Sequence, residues 1–290
     1  MAKRSIIPFG PQHPVLPEPV HLDLVLEDET VVGVIPSIGY VHRGLEKLVD
    51  KRDYKQYTYV AERICGICSC GHGLGYCLAV EQIMNIEVPD RARYLRTIWV
   101  EMSRVHSHLL WLGLLADAMG FESLHMESWR LREKILDMFD ETTGGRIIHS
   151  VNQVGGVQKD MDSTMLNDIL HAIDDIEKQM KPIVKTFLHD YTVQSRLKGV
   201  GVLSKDDALA QGAVGPMLRA SGVEYDARLL GYGAYKDLTV EPIISKDGDS
   251  YGRCEVRLKE LFQSFDLIRE AIGKIPQGDI SVPVKGNPDG

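Results

Sequence analysis

Apolar residues recur three and four apart through the middle of this chain and alternate only near its start. Pro89 and Asp90 open a helix along which Leu95, Ile98, Trp99, Met102, Val105, Leu109 and Leu112 share one face, and Gly120 supplies its stop. A second helix is predicted over about 123–140, stopping at Gly144-Gly145. A third, over about 162–189, carries Leu166, Ile169, Leu170, Ile173, Ile176, Met180, Ile183, Val184 and Phe187 on one stripe, and Pro182 predicts a kink in it. Upstream, Pro8, Pro11, Pro14, Pro17 and Pro19 punctuate the chain. The alternation of His21–Leu26 and of Thr30–Ile35 then predicts a strand pair joined at Glu27-Asp28-Glu29.

Long helices with short connections argue for a bundle. Residues 191–290 mix glycine-rich loops with a short helix capped by Ser204 and a helix near 256–272. The predicted fold class is therefore mainly α: a small N-terminal β region over 1–55, a helical bundle over 56–190, and a mixed α+β part over 191–290 belonging to the same domain. Periodicity establishes the helical scaffold and nothing more specific.

Composition narrows the function classes. A chain of 290 residues with 44% hydrophobic content can bury a substantial core. Net charge −8 gives no basic footprint, so nucleic acid is not an expected partner. Five cysteines, odd in number and clustered, fit a reducing compartment better than a disulfide scaffold. No apolar run reaches the ~18 residues of a membrane-spanning helix, and the start MAKRSIIPFG lacks the apolar centre of a secretory signal. A cytoplasmic location is expected, with any membrane association arising through partners.

The chemistry concentrates in Arg63-Ile-Cys65-Gly-Ile-Cys68-Ser-Cys70-Gly-His72. A Cys-x-x-Cys pair can aim both sulfurs at one metal, and Gly66 is expected to ease the turn between them. Arg63 and nearby backbone N–H groups would favour the thiolate, the form that binds metal. Three readings of the pair are open on the residues alone: half of a structural zinc site, a redox disulfide, or half of a thiolate-rich redox metal site. His72, four residues after Cys68, would face the sulfurs if a helix starts near Ser69, and could donate a hydrogen bond to a thiolate. Arg63 pairs either with Glu62 on a solvated face or, as the motif favours, takes a buried place beside the site.

The flanks add a resemblance. His42-Arg43-Gly44-Leu45-Glu46, then Ala61-Glu62-Arg63-Ile64-Cys65-Gly66-Ile67-Cys68, then His72, Tyr76 and Glu81, resemble the N-terminal signature of [NiFe]-hydrogenase large subunits. The energy-converting, Ech-like type related to the 49-kDa subunit of respiratory complex I is the most similar. Gly10-Pro11-Gln12-His13-Pro14, Arg104-Val-His106-Ser-His108, Thr143-Gly144-Gly145-Arg146 and Gly215-Pro216-Met-Leu-Arg219 continue it, and say fold more than chemistry.

The resemblance implies a catalytic subunit that reversibly reduces protons to H2 with electrons from ferredoxin. Cys65 and Cys68 would hold nickel, Cys68 bridging to an iron that carries diatomic ligands. Glu18, between Pro17 and Pro19, matches a proton-relaying glutamate, for which partial burial and a raised pKa are expected. Glu46 matches a ligand of a second, hard-cation site, usually magnesium. The implied partners are an iron–sulfur small subunit, membrane ion-translocating subunits that would hold the chain on the inner face of the cell membrane, and hydrogenase maturation proteins.

One departure stands against these matches. The family completes its four-thiolate nickel site with a second Cys-x-x-Cys, whereas the remaining cysteines here are Cys70, Cys77 and Cys254. The ending Val284-Lys-Gly-Asn-Pro-Asp-Gly290 reads as an interrupted chain, and the polypeptide as written is expected to be inactive alone. The other readings are a complex I-like subunit that uses the same cleft for a quinone or another acceptor, and a non-catalytic scaffold. Cys70 and Cys77 read as incidental thiols, with Cys70 able to form an oxidative side product with Cys68. His106 and His108, roughly 200° apart around a helix, cannot chelate one ion together. Asp247-Gly-Asp249-Ser-Tyr-Gly252 reads as a solvated turn rather than a calcium loop.

Overall fold

Three antiparallel strands, β1 (Arg4–Phe9), β2 (His21–Glu27) and β3 (Thr30–Ser37), form a sheet in that order, followed by the short helix α1 (Leu45–Val49). The computed structural model describes residues 4–14, 16 and 18–288. Pro17, one of the prolines flanking Glu18, and Gly290 lie outside them. The predicted strand pair is β2–β3, with Leu24 opposite Val34 and a register shift at Val25/Leu26 just before the turn. β1, which pairs Ile6 with Val25, was not legible because Pro8 and the adjacent Ile6 and Ile7 break the alternation that marks a half-buried strand.

The chain divides into two compact units, Met1–Arg52 and Asp53–Gly290. In the second, α2 (Tyr54–Ala61), α3 (Ser69–Met84), α4 (Asp90–Ala118) and α5 (Glu122–Thr143) lead to a two-residue-strand hairpin, β4 (Asn152–Gln153) and β5 (Gly156–Val157). Then follow α6 (Ser163–His189), α7 (Tyr191–Leu197), α8 (Lys205–Ala210), α9 (Gly215–Ala220) and α10 (Ser250–Lys274). The mainly α fold and the bundle are as expected, while the hairpin fills the connection between the helices predicted over about 123–140 and 162–189, where no strand was expected. Pro182 sits inside α6, which runs on without a break to His189.

The amphipathic stripe of α4 becomes the core. Leu95, Ile98, Trp99, Met102, Val105, Leu109 and Leu112 are fully buried. α5 and α10 pack along α4, and α6 packs on α5 and α10. Buried Trp99 donates its indole N–H to Thr142 Oγ1 at 3.1 Å, meeting the cost of placing a polar group in that interior. Gly113 allows α5 to approach: a Cβ there would stand 2.4 Å from the Trp129 ring. α10 starts earlier than its predicted 256 because Asp249, in the segment read as a solvated turn, is buried and accepts N–H bonds from Gly252 (2.8 Å) and Gly199 (2.7 Å). Ser204 caps α8 as expected, accepting from the Asp207 N–H at 3.1 Å.

Residues near 280–284 lie against the β4–β5 hairpin, with Val157 N–H donating to Ile280 O and Val282 N–H to Gly155 O, both at 2.9 Å. Tyr54 and Lys55 of α2 donate to the carbonyls of Gly286 and Val284. This segment, the hairpin and α2 thus pack on one another. Among the described residues no helix is long and apolar enough to cross a membrane.

Candidate metal centre

Cys65 and Cys68 stand in the irregular link between α2 and α3, and Cys68 is the residue that caps α3. Because α3 begins at Ser69, His72 N–H donates to Cys68 O at 3.1 Å and the imidazole projects from the same first turn. One ligand atom each from Cys65, Cys68 and His72 lies within 4.8 Å of the others. A tetrahedral ion with metal–sulfur bonds of about 2.3 Å needs sulfurs roughly 3.8 Å apart, so a small closure of this triangle would seat one. Two thiolates and an imidazole suit a thiophilic or borderline ion such as zinc, nickel or cobalt. The full four-thiolate set is not assembled among the described residues: Cys70, Cys77 and Cys254 are all buried in the helical interior.

Those three thiols differ chemically from the pair. Burial pushes each of Cys70, Cys77 and Cys254 up to about 12, and for Cys70 the nearby Glu62 carboxylate adds to the rise. Cys70 is therefore a poor nucleophile, turned inward toward the Asn152 amide, which donates to its carbonyl at 3.2 Å. This corrects the expectation of a side product between Cys70 and Cys68. In the native chain at pH 8, iodoacetamide should label Cys65 and Cys68, with Cys70, Cys77 and Cys254 labelled only after denaturation; peptide mass spectrometry reads the difference. Early labelling of the inner three would contradict the burial.

Arg63 and Glu62 exchange the places expected of them. Arg63 is exposed, its guanidinium donating to the Tyr59 carbonyl at 2.7 Å, so it is not the buried cation of the site. Glu62 is fully buried. Its Oε2 accepts from Ser150 N–H (2.8 Å) and Ser150 Oγ (3.1 Å), while Oε1 has no partner among the described residues. Desolvation raises its pKa against those two bonds. Gly73 makes the room, since a Cβ there would stand 2.8 Å from the Glu62 side chain. Gly66 is not needed for its conformational freedom: its φ is not positive, and a Cβ would meet Ile147 at an ordinary 3.6 Å.

On the other side of Cys68 lies a cleft of about 250 Å³, bordered also by Ser103, Arg104, Ser107, His108 and Tyr232. His108 Nε2 lies 2.8 Å from Glu260 Oε2, and Glu260 Oε1 accepts from Arg219 at 2.6–2.7 Å. Desolvation would raise Glu260, but the hydrogen bond from His108 and the Arg219 guanidinium outweigh it and hold the carboxylate at about 2. Arg219 also reaches Asp226, which pairs with Arg228 at 2.7 Å. Arg228 lies 3.6 Å from Glu101, and Glu101 accepts from Arg104 (3.2 Å), Ser264 (2.6 Å) and Tyr235. This largely buried network of alternating acidic and basic groups begins and ends on the cleft, at His108 and Arg104. Desolvation depresses His108, opposed by Glu260 and reinforced by Arg104 and Arg257. A neutral imidazole beside a small cleft, oriented by an ionised carboxylate, is equipped to accept a proton there.

Two expected residues lie in the first unit and are described within it. Glu18 is exposed, so this chain does not supply the partial burial expected for it. Glu46, on α1, is also exposed, with its carboxylate 3.5 Å from His42 Nε2. The sequence reading missed Glu101, Arg219, Asp226, Arg228 and Glu260 as a connected set, and Glu62 as a separate buried carboxyl. The sole signal was the density of charge at positions that the helical stripes place indoors.

Residues 118–287 match the family described as the respiratory-chain NADH dehydrogenase 49 Kd subunit, and residues 43–119 match nickel-dependent hydrogenase. The chain is 39% identical to the membrane-bound hydrogenase subunit alpha of Pyrococcus furiosus, over 97% of this chain and 68% of the relative. It is 36% identical to an F(420)H(2) dehydrogenase subunit of Methanosarcina mazei, over 96% and 75% respectively. To an NADH-quinone oxidoreductase subunit of Chloroherpeton thalassium it is 38% identical, over 97% and 64%.

Proposed function

Because this chain belongs to the family of nickel-dependent hydrogenases and the 49-kDa subunit of respiratory-chain NADH dehydrogenase, we propose that it is the nickel-site subunit of an energy-converting [NiFe]-hydrogenase. The complex would interconvert protons and H2 with ferredoxin as electron donor. The observation that carries this reading is the convergence of Cys65, Cys68 and His72 at the start of α3. Cys65 and Cys68 would hold nickel, with Cys68 shared with iron. The bound metals would supply heterolytic cleavage of H2.

The chain's own residues do the rest. The cleft beside Cys68 admits a small molecule, and His108, held by Glu260, stands on it as a proton acceptor. Glu18 serves as a further proton relay and Glu46 as a magnesium ligand, both on the strength of the motif match. An iron–sulfur small subunit would deliver electrons, membrane ion-translocating subunits would hold the complex at the inner face of the cell membrane, and maturation proteins would load the metals. The name of the Pyrococcus relative supports the membrane-bound assembly.

A second reading has its own observation. Only two thiols join the group among the described residues, and the longer family match is to the 49-kDa subunit. In that reading the cleft receives a quinone or another acceptor without nickel. The two separate on one preparation: the complex isolated with its partner subunits from nickel-supplied cells. About one nickel per chain and H2-dependent reduction of a viologen dye support the hydrogenase. Quinone reduction with no nickel would establish the alternative.

A further inference from the structure

Glu62 is a buried carboxyl that the proposed chemistry does not use, and Thr143-Gly144-Gly145-Arg146 is a motif that it leaves unexplained. The segment after this motif joins the two. Residues 147–152 lead from beyond α5 into β4 and meet the chain on both sides of the thiol pair. Before the pair, Glu62 Oε2 accepts from Ser150 N–H at 2.8 Å and from Ser150 Oγ at 3.1 Å. After it, Ser69 Oγ donates to Ile147 O at 2.5 Å, and Asn152 Nδ2 donates to Cys70 O at 3.2 Å. Because the Ser69 hydroxyl proton is committed to Ile147, His149 Nδ1, 3.4 Å away, is the donor to Ser69 Oγ. Between these grips a Cβ on Gly66 would lie 3.6 Å from Ile147 Cγ2, so the middle of the pair's loop rests on the same segment.

We propose that Glu62 is a positioning residue of the thiolate pair: by gripping Ser150 it closes the 147–152 segment as a brace across the Cys65-Gly66-Ile67-Cys68 loop. The need for one is electrostatic. Two thiolates brought to metal-binding distance repel each other, and an irregular link between two helices would open to relieve that repulsion. A brace resists only if it is itself fixed, and this one is held to α5. Arg146, just before it, pairs with Asp137 and Glu133 at 2.5 Å, and the His149 ring stacks on Phe139 with centroids 3.8 Å apart. Ser150 has a φ of +51°, uncommon for a residue that carries a Cβ. In that conformation its N–H and its hydroxyl both reach one carboxyl oxygen, and the two bonds to Glu62 offset the backbone cost. Without an acceptor at position 62 the segment would hold only the Ser69 side of the pair.

This inference rests on the reading of Cys65 and Cys68 as metal ligands, and its test separates the two. Co²⁺ is titrated anaerobically into the full, metal-free chain, and thiolate-to-cobalt charge-transfer absorbance reports the Kd. Glu62→Met keeps the length of the side chain without its acceptor. It should weaken Co²⁺ about 10–100-fold, the usual cost of losing a group that supports the ligands from behind. Glu62→Gln, whose amide oxygen can accept from both Ser150 donors, should stay within about threefold of wild type. Equal Kd values for wild type and a folded Glu62→Met variant, or a Gln variant as weak as Met, would overturn the proposal. If Glu62→Met does not fold, Ser69→Ala releases the grip on Ile147 with Glu62 in place, and should weaken Co²⁺ in the same direction; an unchanged Kd there overturns the brace. Amide hydrogen exchange without metal is the independent readout. Residues 65–70 should exchange faster in Glu62→Met but not in Glu62→Gln, with α6 unchanged in both. That pattern supports the brace even if wild type binds no Co²⁺, an outcome that would sink the metal reading alone. Exchange at 65–70 that is unchanged in Glu62→Met, or raised equally along α6, sinks the brace.

Discussion

Cys68→Ser should reduce the affinity of the chain for Co²⁺ or Zn²⁺ by two to three orders of magnitude, and Cys65→Ser should do the same. Structural four-ligand sites gain about 10–16 kcal/mol on binding zinc, so one thiolate is worth roughly 2.5–4 kcal/mol, or about 10²–10³ in Kd. A serine hydroxyl is neutral and hard at neutral pH, and it offers a soft ion little in exchange. His72→Ala should cost less, about tenfold, because a water can take the place of the neutral imidazole. The ordering discriminates between roles. Equal losses for all three variants would make His72 a full ligand, whereas no loss for either cysteine variant would place the metal elsewhere. Cys70→Ser is the control, since its thiol is buried on the inner side of α3. In the intact complex, Cys65→Ser and Cys68→Ser should both abolish nickel retention and H2-dependent dye reduction.

How much of this was legible beforehand follows the range of the interactions involved. The α4 and α6 stripes declared their helices because helical packing is written at three- and four-residue spacing. The thiol pair declared itself because its ligands are three residues apart. His72 joined them as soon as the α3 start at Ser69 was correctly placed. Glu62 and Arg63 could not be sorted, since adjacent charged residues at a helix end give no local sign of which turns inward. That choice was made by Ser150, 88 residues away, and by the space left at Gly73. His106 meets Arg132 across 26 residues, and His108 meets Glu260 across 152. The β4–β5 hairpin escaped notice because its strands are two residues each, too short to show a period. Asp249 was misjudged because an aspartate that caps a helix and one in an open turn share the same neighbours until the cap's second bond, to Gly199, is seen.

Glu260→Gln should be the most damaging single change to stability, costing about 3–5 kcal/mol, the usual penalty for removing one member of a buried ion pair. Two cationic or donor groups depend on the same carboxylate. Arg219 would remain in the interior with Asp226 at 3.6 Å as its remaining charged partner, and His108 would lose the acceptor that fixes its ring. Domains of this kind are stable by about 5–15 kcal/mol, so the urea midpoint should fall by roughly a fifth or more. The pH dependence has a definite sign. The folded pKa of Glu260 is depressed to about 2, below the ~4.3 of an unfolded glutamate. Its stabilisation is therefore fully present above about pH 4.3 and is lost as pH falls toward 2. Glu62 behaves oppositely. Its folded pKa is raised, so the wild type gives up stability as pH climbs past the unfolded value and the buried carboxyl is asked to ionise. Glu62→Gln keeps an acceptor for Ser150 and escapes that cost. It should be neutral or slightly stabilising at pH 7, by up to about 1 kcal/mol, and without effect near pH 4. Urea titrations of the two variants at pH 4 and pH 7 therefore test one idea from both sides. The interior keeps Glu260 charged because guanidinium and imidazole surround it, and tolerates Glu62 because two Ser150 donors and a glycine gap meet it halfway. A large loss for Glu62→Gln together with a small one for Glu260→Gln would reverse that assignment.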